Sequence, residues 1–311
     1  MEIATCFDKN YLMPAGVMLT SLFENNPGTA FHVHALVLGS LDFAQPVIDI
    51  VKKYHGEISF YDMSAHHLPA LPVNGRNQRE NIPIETYFRL FLSEVLPPEI
   101  DKVLWLDGDI IVNDDISELW KEDIADYSIG VVPDFENNNV QFTNRLGYDA
   151  SYGYFNAGVL LVNLKHWRET NIFRSFLDYI EKRFDDLCLY DQDVLNYVCH
   201  ATKKELSIKY DFQTNFLFKK CLMNISCKYF PQIDTYAASP CIVHFTEHKP
   251  WLHGSINPMR DLFVKYQNMT QWQGIEVKRK KSLRKRMETA FLCLWKREPL
   301  KRILYDPKYI Q

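Results

Sequence analysis

The feature that most constrains the fold is an apolar stretch interrupted by two aspartates, residues 103–112. Four apolar residues lead into Asp107, Gly108 separates it from Asp109, and three more apolar residues follow. An apolar run of this length, bounded by breaking residues, predicts a buried strand. Glycine at 108 permits a sharp turn, so both carboxylates are expected side by side at the carboxyl end of a core strand. Open α/β sheets bind their ligands at that edge.

These two carboxylates would be costly to bury without a partner, so the pair predicts a bound cation. Aspartates one residue apart can share a hard divalent ion through oxygen ligands. The simplest alternative is a turn with two solvated aspartates. A phosphatase of the haloacid dehalogenase type also has Asp-x-Asp after a strand, but near the start of its domain and followed by Thr. Here about a hundred residues precede the pair, and Ile111 follows it.

Predicted strands and helices alternate over the first sixty residues. Strands are expected at residues 2–7, 31–38 and 58–61, with helices at 12–25 and 43–55 between them. This β-α-β-α-β order predicts an α/β fold with a mostly parallel central sheet. The sequence has neither a Gly-x-Gly-x-x-Gly nor a Walker motif, so a dinucleotide or a phosphate-loop nucleotide is not indicated. His32 and His34 share one strand face, where a surface role is favoured over metal binding.

Two later segments place polar side chains among apolar ones. Residues 86–96 predict a helix that ends at Pro97. Arg89 within it either extends to solvent or points at the aspartates or a phosphate. Asn156 stands with two small residues directly before a predicted buried strand, an arrangement that lets a ligand approach its carboxamide closely.

The second half of the chain adds three further candidates. Asp191 opens a predicted helix, where it is either a first-turn acid or a site residue. His244 lies on a predicted strand, where histidines are usually structural. Lys249 and Trp251 follow closely, however, and favour a diphosphate site there.

Composition sets the outer limits for this chain of 311 residues. One large domain, or one domain with an appendage, is expected, and 47% hydrophobic residues suffice for a sizeable core. No apolar run approaches the ~20 residues that span a bilayer, and the amino terminus lacks the features of a secretory signal. Seven cysteines without Cys-x-x-Cys spacing predict free thiols in a reducing compartment. We therefore expect a cytoplasmic protein.

The carboxyl-terminal tail differs from the body in charge. Residues 275–311 carry twelve Lys and Arg against four acids, a net charge of +8. Because the whole chain carries −4, residues 1–274 carry −12. Residues 278–286 contain seven cations and lead into an apolar stripe with Phe291 and Trp295. This composition predicts an interfacial helix that anchors the protein to a membrane surface. We therefore expect two regions, a domain at residues 1–268 and a basic amphipathic tail at residues 269–311. The alternative is that this helix packs on the domain. Binding of nucleic acid by the basic run is disfavoured, because the acidic body would repel the polymer.

Five motifs occur together in order between Ile3 and about Trp251, and through them the chain resembles the retaining glycosyltransferases of family 8. The resemblance is to bacterial lipooligosaccharide galactosyl- and glucosyltransferases, with glycogenin more distant. The motifs are Asp8-Lys9-Asn10-Tyr11, Thr86-Tyr87-Phe88-Arg89, Leu106-Asp107-Gly108-Asp109, Phe155-Asn156-Ala157-Gly158-Val159, and Tyr190-Asp191-Gln192-Asp193 with His244 and Lys249-Pro250-Trp251.

The resemblance implies a GT-A fold, with a mostly parallel sheet flanked by helices and a small, basic, helical carboxyl-terminal extension. It also implies a UDP-sugar donor and Mn²⁺, with Mg²⁺ as the alternative ion. By analogy, the metal ligands are Asp107, Asp109 and His244. The residues at the uridine are Cys6, Asp8, Asn10 and Tyr11, and Lys249 contacts the diphosphate. The residues around the donor sugar and the reacting centre are Arg89, Gly108, Asn156, Ala157, Gly158, Asp191 and Gln192.

The implied activity is transfer of a hexose, galactose or glucose, to a glycan or lipid-linked acceptor in lipopolysaccharide or other surface-glycan synthesis. Such an enzyme would work at the inner face of the plasma membrane. Without an obvious nucleophile, front-face attack by the acceptor is favoured, with Arg89, Asn156, Asp191 and Gln192 at the reacting centre. A catalytically silent UDP-sugar-binding protein is the alternative. Glu247 stands where many relatives have Gly, and Asn81 where the galactosyltransferase has an acceptor-contacting His, so the acceptor is expected to differ.

Overall fold

The computed structural model describes residues 1–66, 83–218 and 221–278, which contain ten strands in two sheets. The strands are β1 Glu2–Cys6, β2 His32–Val37, β3 Glu57–Asp62, β4 Lys102–Leu106, β5 Ile110–Val112, β6 Ile129–Pro133, β7 Phe155–Asn163, β8 Lys203–Glu205, β9 Phe212–Gln213 and β10 Ile242–His244.

The same ranges contain ten α-helices and seven short 3-10 helices. The α-helices are α1 Leu12–Asn25, α2 Gln45–Lys53, α3 Leu92–Val95, α4 Ser117–Lys121, α5 Val140–Leu146, α6 Leu164–Glu169, α7 Ile172–Arg183, α8 Tyr190–Cys199, α9 Phe230–Tyr236 and α10 Arg260–Gln267. The 3-10 helices are Met63–Ala65, Ile84–Phe91, Ala150–Tyr152, Phe184–Asp186, Ile208–Tyr210, Thr214–Leu217 and Cys227–Tyr229.

The larger sheet has the strand order β3-β2-β1-β4-β7-β6-β8. Strands β1 to β4 pair in parallel, as the alternation of strands and helices predicts, and β6 and β8 are parallel to each other. Strand β7 is antiparallel to both of its neighbours. The amino end of β7 therefore meets the carboxyl ends of β4 and β6, and this is where the polar motifs gather.

The smaller sheet, in the order β5-β10-β9, begins immediately after the two aspartates. Its strand β5 follows Asp109 directly and pairs antiparallel with β10, which brings His244 opposite Ile110. The second apolar run thus leaves the large sheet and builds another one. Its departure puts both aspartates at the junction of the two sheets.

Hydrophobic layers cover both faces of the large sheet. On one face, Leu104 and Leu106 pack with apolar residues of α1 and α2. On the other face, Val103 and Trp105 pack with the segment 84–96 and with helices α6 to α8. The four side chains of β4 after Lys102 are fully buried, which explains why these positions are all apolar instead of alternating with polar residues.

The structure confirms the predicted strands and helices within a few residues and differs in three places. Residues 84–91 form a 3-10 helix before the short α3, where one α-helix was predicted. Asn156 and Gly158 lie within β7 and not ahead of it. His34 is fully buried, so the surface role expected for it is wrong.

The carboxyl-terminal region packs on the body as far as it is described. Val277 pairs with Leu252 in an isolated bridge, and Trp272 packs against the apolar cluster around α10. The basic run and apolar stripe from residue 279 onward, and Asn81, lie outside the described residues. Within the described ranges, six cysteines are free, as predicted, and no helix is both long and apolar enough to cross a bilayer.

Candidate active site

Asp107 is the first polar residue after β4, and its position is set by the neighbouring strand. Its backbone N–H donates to the Gly158 carbonyl of β7 at 2.9 Å. Its carboxylate accepts from Trp105 Nε1 at 2.8 Å and lies 3.0 Å from Arg89 Nη2. Arg89 also donates to the Ala157 carbonyl and stacks on the Trp105 ring. The arginine therefore points into the cleft and not to solvent.

Asp109 connects the two sheets. Its backbone carbonyl accepts from Phe245 N–H at 3.0 Å, just beyond β10. One carboxylate oxygen lies 3.4 Å from His244 Nε2, and the other forms an ion pair with Lys249. Burial alone would raise the pKa of Asp109, but the Lys249 ammonium and His244 hold it well below its usual range. Asp109 is thus a carboxylate at neutral pH.

His244 lies flat against β7 because residue 158 is glycine. Three atoms of the His244 ring lie within 3.0 Å of where a Cβ on Gly158 would stand, so any side chain there would displace the ring. His244 Nδ1 bonds to the buried Asp211 at 2.9 Å, which leaves Nε2 facing Asp109. Burial lowers the pKa of His244, but Asp211 and Asp109 outweigh that effect and raise it to about 10.

Asp107, Asp109 and His244 together fit a divalent cation. Their ligand atoms all lie within 4.8 Å of one another. Two carboxylates with one imidazole suit Mn²⁺ or Mg²⁺ better than a thiolate-seeking ion. In many metal sites, the second ring nitrogen of a ligating histidine bonds to an outer partner that orients the ring. Asp211 has this position at His244. Binding would require His244 to release the proton on Nε2, because only a neutral imidazole is a ligand.

Asp191 and Asp193 share one helical turn but have different roles. Asp191 lies 2.9 Å from Arg89 Nε on the cleft side, close enough for an ion pair although that N–H is not aimed at it. Asp193 is a structural anchor, because it pairs with Arg145 at 2.8 Å and accepts the N–H of Cys188 at 2.7 Å. Both aspartates lie in the first turn of α8, and Asp191 also faces the cleft.

The pKa of Asp191 reflects its surroundings. Burial raises it to about 7, with Arg89 opposing and Asp107 adding to the rise. The Asp191 carboxyl is therefore protonated more readily than that of Asp109.

A second carboxylate network lies beside β7. Asp134, which directly follows β6, accepts from Asn156 Nδ2 at 2.8 Å and from Gln192 Nε2 at 3.2 Å. Gln192 in turn accepts from the Ala157 N–H at 3.0 Å. Burial raises the pKa of Asp134 to about 6, against the lowering effect of these hydrogen bonds. The two carboxamides are thereby fixed in orientation at the cleft.

The loop after β1 forms the other end of the cleft. Asp8 accepts the backbone N–H of Asn10 at 2.9 Å and of Tyr11 at 2.8 Å, which fixes the turn that leads into α1. The Tyr11 ring is partly exposed and makes an edge contact with Trp251 at 5.7 Å. Cys6 Sγ donates to the Glu85 carbonyl, and burial raises the pKa of its thiol, so Cys6 is not a nucleophile.

Two adjoining cavities connect these groups. One, of about 350 Å³, is lined by Cys6, Asp8, Asn10 and Tyr11 as well as by both aspartates. The other, of about 400 Å³, is lined by Asn156, Asp191, Gln192, His244 and Lys249. Both include Arg89 and Asp107, so they form one cleft with the three candidate metal ligands at its middle. Larger clefts of about 510 Å³ lie elsewhere, but none of these groups lines them.

The structure brings the predicted site residues together around this one cleft, and it adds two that the sequence reasoning missed. Asp134 was noticeable only as an acid after a strand. Asp211 gave no signal, because its importance comes from contact with His244. Gly108 does not adopt a positive φ, and a Cβ there would make ordinary contact with Tyr11 and Ala15, so the predicted glycine turn is not required.

Comparison with known proteins gives a family. The pattern of glycosyl transferase family 8 matches residues 2–254. General stress protein A of Bacillus subtilis is 27% identical over 88% of this chain and 96% of its own length. Lipopolysaccharide 1,2-glucosyltransferase of Escherichia coli is 26% identical over 97% of this chain and 85% of its own. Lipopolysaccharide 1,3-galactosyltransferase of Salmonella typhimurium is 28% identical over 87% and 79%.

Solved structures agree with this assignment. The galactosyltransferase LgtC, in complex with donor and acceptor sugar analogs, superposes with a TM-score of 0.74. That match is 27% identical and covers 87% of this chain and 96% of LgtC. The bifunctional glycosyltransferase WbbM shares the fold, at 19% identity and a TM-score of 0.73. The fold is therefore GT-A, and the chain belongs to glycosyl transferase family 8.

Proposed function

We propose that this protein is a metal-dependent hexosyltransferase that moves galactose or glucose from a UDP-sugar to a glycan or glycolipid hydroxyl. The observation that carries the proposal is the convergence of Asp107, Asp109 and His244 at the junction of two cavities. One cavity has the size and polarity for a nucleoside, and the other is lined by carboxamides and carboxylates that suit sugar hydroxyls.

The nucleotide would occupy the cavity beside α1. Tyr11 offers a partly exposed ring for a base, and Asp8 and Asn10 offer polar atoms at the same rim. Lys249 already lies at Asp109, so its ammonium is available to the diphosphate where that group meets the cation. Because Lys249 is held by carbonyls of its own loop at 2.7 and 3.3 Å, its position is set before a donor binds.

The cation, Mn²⁺ with Mg²⁺ as the alternative, would be held by Asp107, Asp109 and His244 and would neutralise charge that develops on the departing diphosphate. The chain itself supplies the remaining charge. Lys249 stabilises the leaving group, and Asp211 keeps the His244 ring in place. Family membership implies retention of configuration at the transferred sugar.

The sugar would lie over β7, among Arg89, Asp191 and Gln192. Asp191 is a poor candidate for a covalent nucleophile, because Arg89 occupies one of its oxygens. This favours front-face attack by the acceptor hydroxyl, with Asp191 and the Gln192 carboxamide stabilising positive charge on the sugar. Asn156 and Asp134 fix Gln192 for that purpose.

Among the alternatives, the phosphatase interpretation is incompatible with the family assignment. A silent UDP-sugar-binding protein would keep the cation cluster and lack turnover. The named relatives that act on lipopolysaccharide support an acceptor in lipopolysaccharide or another bacterial surface glycan.

The test combines binding with turnover. UDP plus Mn²⁺ is expected to raise the unfolding temperature, because ligand at about 100 times Kd stabilises by about 2.7 kcal/mol. Hydrolysis of UDP-glucose and UDP-galactose without acceptor is then measured. Asp107→Asn is expected to lose both effects, and Asp114→Asn, at an exposed aspartate on the connection after β5, is the matched control. Absence of stabilisation would refute the UDP-sugar proposal, and stabilisation without turnover of any UDP-sugar would favour the silent protein.

The tail completes the proposal by bringing the acidic body to a lipid-linked acceptor at the inner face of the plasma membrane. Its support is composition alone, seven cations in residues 278–286 followed by an apolar stripe. Full-length protein is expected to sediment with anionic vesicles at low salt, and a chain that ends at residue 278 is expected to stay in solution. Equal partitioning of the two would contradict the anchor.

A further inference from the structure

A second cluster of metal-binding side chains lies at the opposite end of the large sheet. Glu2 lies on β1, and His32 and His34 lie on β2. All three side chains point to the same face of the sheet, because the two strands are parallel and Glu2 pairs with His32. Their ligand atoms all lie within 4.8 Å of one another. Glu2 begins the strand that ends beside the cleft, so the cluster is separated from the candidate active site by the length of β1.

One oxygen atom is the centre of this cluster. Glu2 Oε2 lies 2.7 Å from His34 Nε2 and 3.3 Å from His32 Nδ1. Tetrahedral ligation with metal–nitrogen distances of about 2.0–2.1 Å places ligand atoms about 3.3 Å apart. The observed separations therefore need only small side-chain adjustments to receive an ion.

The outer nitrogen of each imidazole is already held by β3. His32 Nε2 bonds to Ser59 Oγ at 2.8 Å, and His34 Nδ1 bonds to Tyr61 Oη at 2.9 Å. A ligating histidine characteristically bonds through its second nitrogen to an outer partner that fixes its ring. Here both rings are fixed with their inner nitrogens aimed at the same carboxylate.

Exposure and charge are also suited to an ion. The His34 side chain is fully buried, whereas those of His32 and Glu2 are each 30% exposed, which leaves an entry path and room for a water ligand. Burial lowers the pKa of His34, against the opposing effect of Glu2. As ligands, one carboxylate and two imidazoles would supply one negative charge, which a divalent ion would more than balance.

We propose that Glu2, His32 and His34 form a metal site for a borderline divalent ion of the Zn²⁺ type, with water as the fourth ligand. Imidazole and carboxylate ligands in a four-coordinate set favour Zn²⁺ over Mg²⁺ or Ca²⁺. The ion would cross-link β1 to β2 and, through Ser59 and Tyr61, to β3. It would thus stabilise one edge of the sheet without touching the donor cleft.

The test uses the full-length protein, stripped of metal with a chelator and titrated with Zn²⁺ against a chromogenic competitor. Loss of an outer partner typically lowers metal affinity about 10–100-fold. His32→Asn removes a ligand itself and is therefore expected to weaken Zn²⁺ binding by more than that. His253→Asn is the matched control, because His253 also pairs with a glutamate, Glu276, at 2.6 Å but has no second imidazole. Asp109→Asn removes Zn²⁺ binding at the cleft and is expected to leave this site intact.

Two further readouts separate a metal site from a hydrogen-bonded cluster. In an Asp109→Asn background, which removes Zn²⁺ binding at the cleft, Zn²⁺ is expected to raise the unfolding temperature, also when His253→Asn is added, but not when His32→Asn or Glu2→Gln is added. Co²⁺ is expected to give the intense visible absorption of four-coordinate geometry, lost in His32→Asn and kept in Asp109→Asn. Zn²⁺ affinity unchanged by His32→Asn, or Zn²⁺ binding abolished by Asp109→Asn alone, would overturn the proposal.

Discussion

The cluster at the cleft and the cluster at the amino end of β1 each combine carboxylate and imidazole ligands, yet they differ in charge. At the cleft, Asp109 is paired with Lys249 and Asp107 with Arg89 before any ion binds. At the sheet edge, the outer partners of His32 and His34 are the hydroxyls of Ser59 and Tyr61, and the ion pairs of Glu2 in the described residues are to imidazoles alone.

This difference explains what each cluster can do. Cations beside the two aspartates attract a phosphate as well as balancing the carboxylates, which suits the proposed binding of a charged substrate together with an ion. Hydroxyls beside two histidines attract no anion but hold imidazoles rigidly, which suits a structural ion. The ligand types alone do not separate these functions, whereas the surrounding charges do.

The largest effect expected from this comparison is on turnover. Asp109→Asn should lower turnover of a UDP-hexose on the order of 10³-fold, because it weakens binding of the cation whose positive charge acts on the leaving diphosphate. Glu2→Gln should leave turnover unchanged, since Glu2 is at the far end of β1. Steady-state rates with Mn²⁺ check both, with circular dichroism as the control for folding. Activity near that of the parent in Asp109→Asn would remove this residue from the ligand set.

A smaller effect is expected from the outer partner at the cleft. Asp211→Asn keeps the shape of the side chain that bonds His244 Nδ1 but removes its charge. The Mn²⁺ concentration for half-maximal activity should rise about 10–100-fold, with little change in the rate at saturating Mn²⁺. Ser59→Ala is the matched change at the other cluster and should leave the Mn²⁺ requirement alone. If Asp211→Asn lowers the rate equally at all Mn²⁺ concentrations, its role is not to support the metal ligand.

The smallest effect is on stability as a function of pH in the metal-free protein, and it has opposite signs at the two clusters. The pKa of His244 is raised from 6.5 to about 10, so its stabilising contribution is complete below pH 6.5 and is lost as pH rises towards 10. The pKa of His34 is lowered from 6.5, so its contribution is present above pH 6.5 and is lost as pH falls.

Urea unfolding across this pH range measures both contributions. His244→Gln should flatten the alkaline decline, whose slope is at most about 1.4 kcal/mol per pH unit from one group. His34→Gln should flatten the acid decline and leave the alkaline one in place. An alkaline decline that persists unchanged in His244→Gln would mean that this imidazole is neutral without metal.

Much of the fold followed from the sequence, because local patterns report local burial. The apolar run of β4 predicted a strand covered on both sides, and Trp105 and Leu104 are indeed buried on opposite faces. The alternation of strands and helices predicted the parallel half of the sheet. The ordered motifs predicted the family, which the match to residues 2–254 confirms.

Other features depended on contacts that no local pattern reports. The segment around Arg89 has helical periodicity, but its 3-10 form brings the guanidinium to Asp107 and Asp191, which lie far from it in sequence. Gly158 was interpreted as space for a ligand, whereas the structure gives that space to the His244 ring. Glycine indicates that something approaches closely, but only the tertiary structure identifies what does.

The sequence by itself determined the strand order along the chain, the acidic pair and the histidine that could join it. Only the tertiary structure decided which charges surround each ligand. Lys249 at Asp109, Asp211 at His244, and Ser59 at His32 all come from other elements of the fold. A side chain's chemistry is fixed by its type, but its pKa and its partners depend on burial and on neighbours within a few ångströms. At the cleft these neighbours are set by how the two sheets meet, and at the other cluster by how β2 pairs with β3.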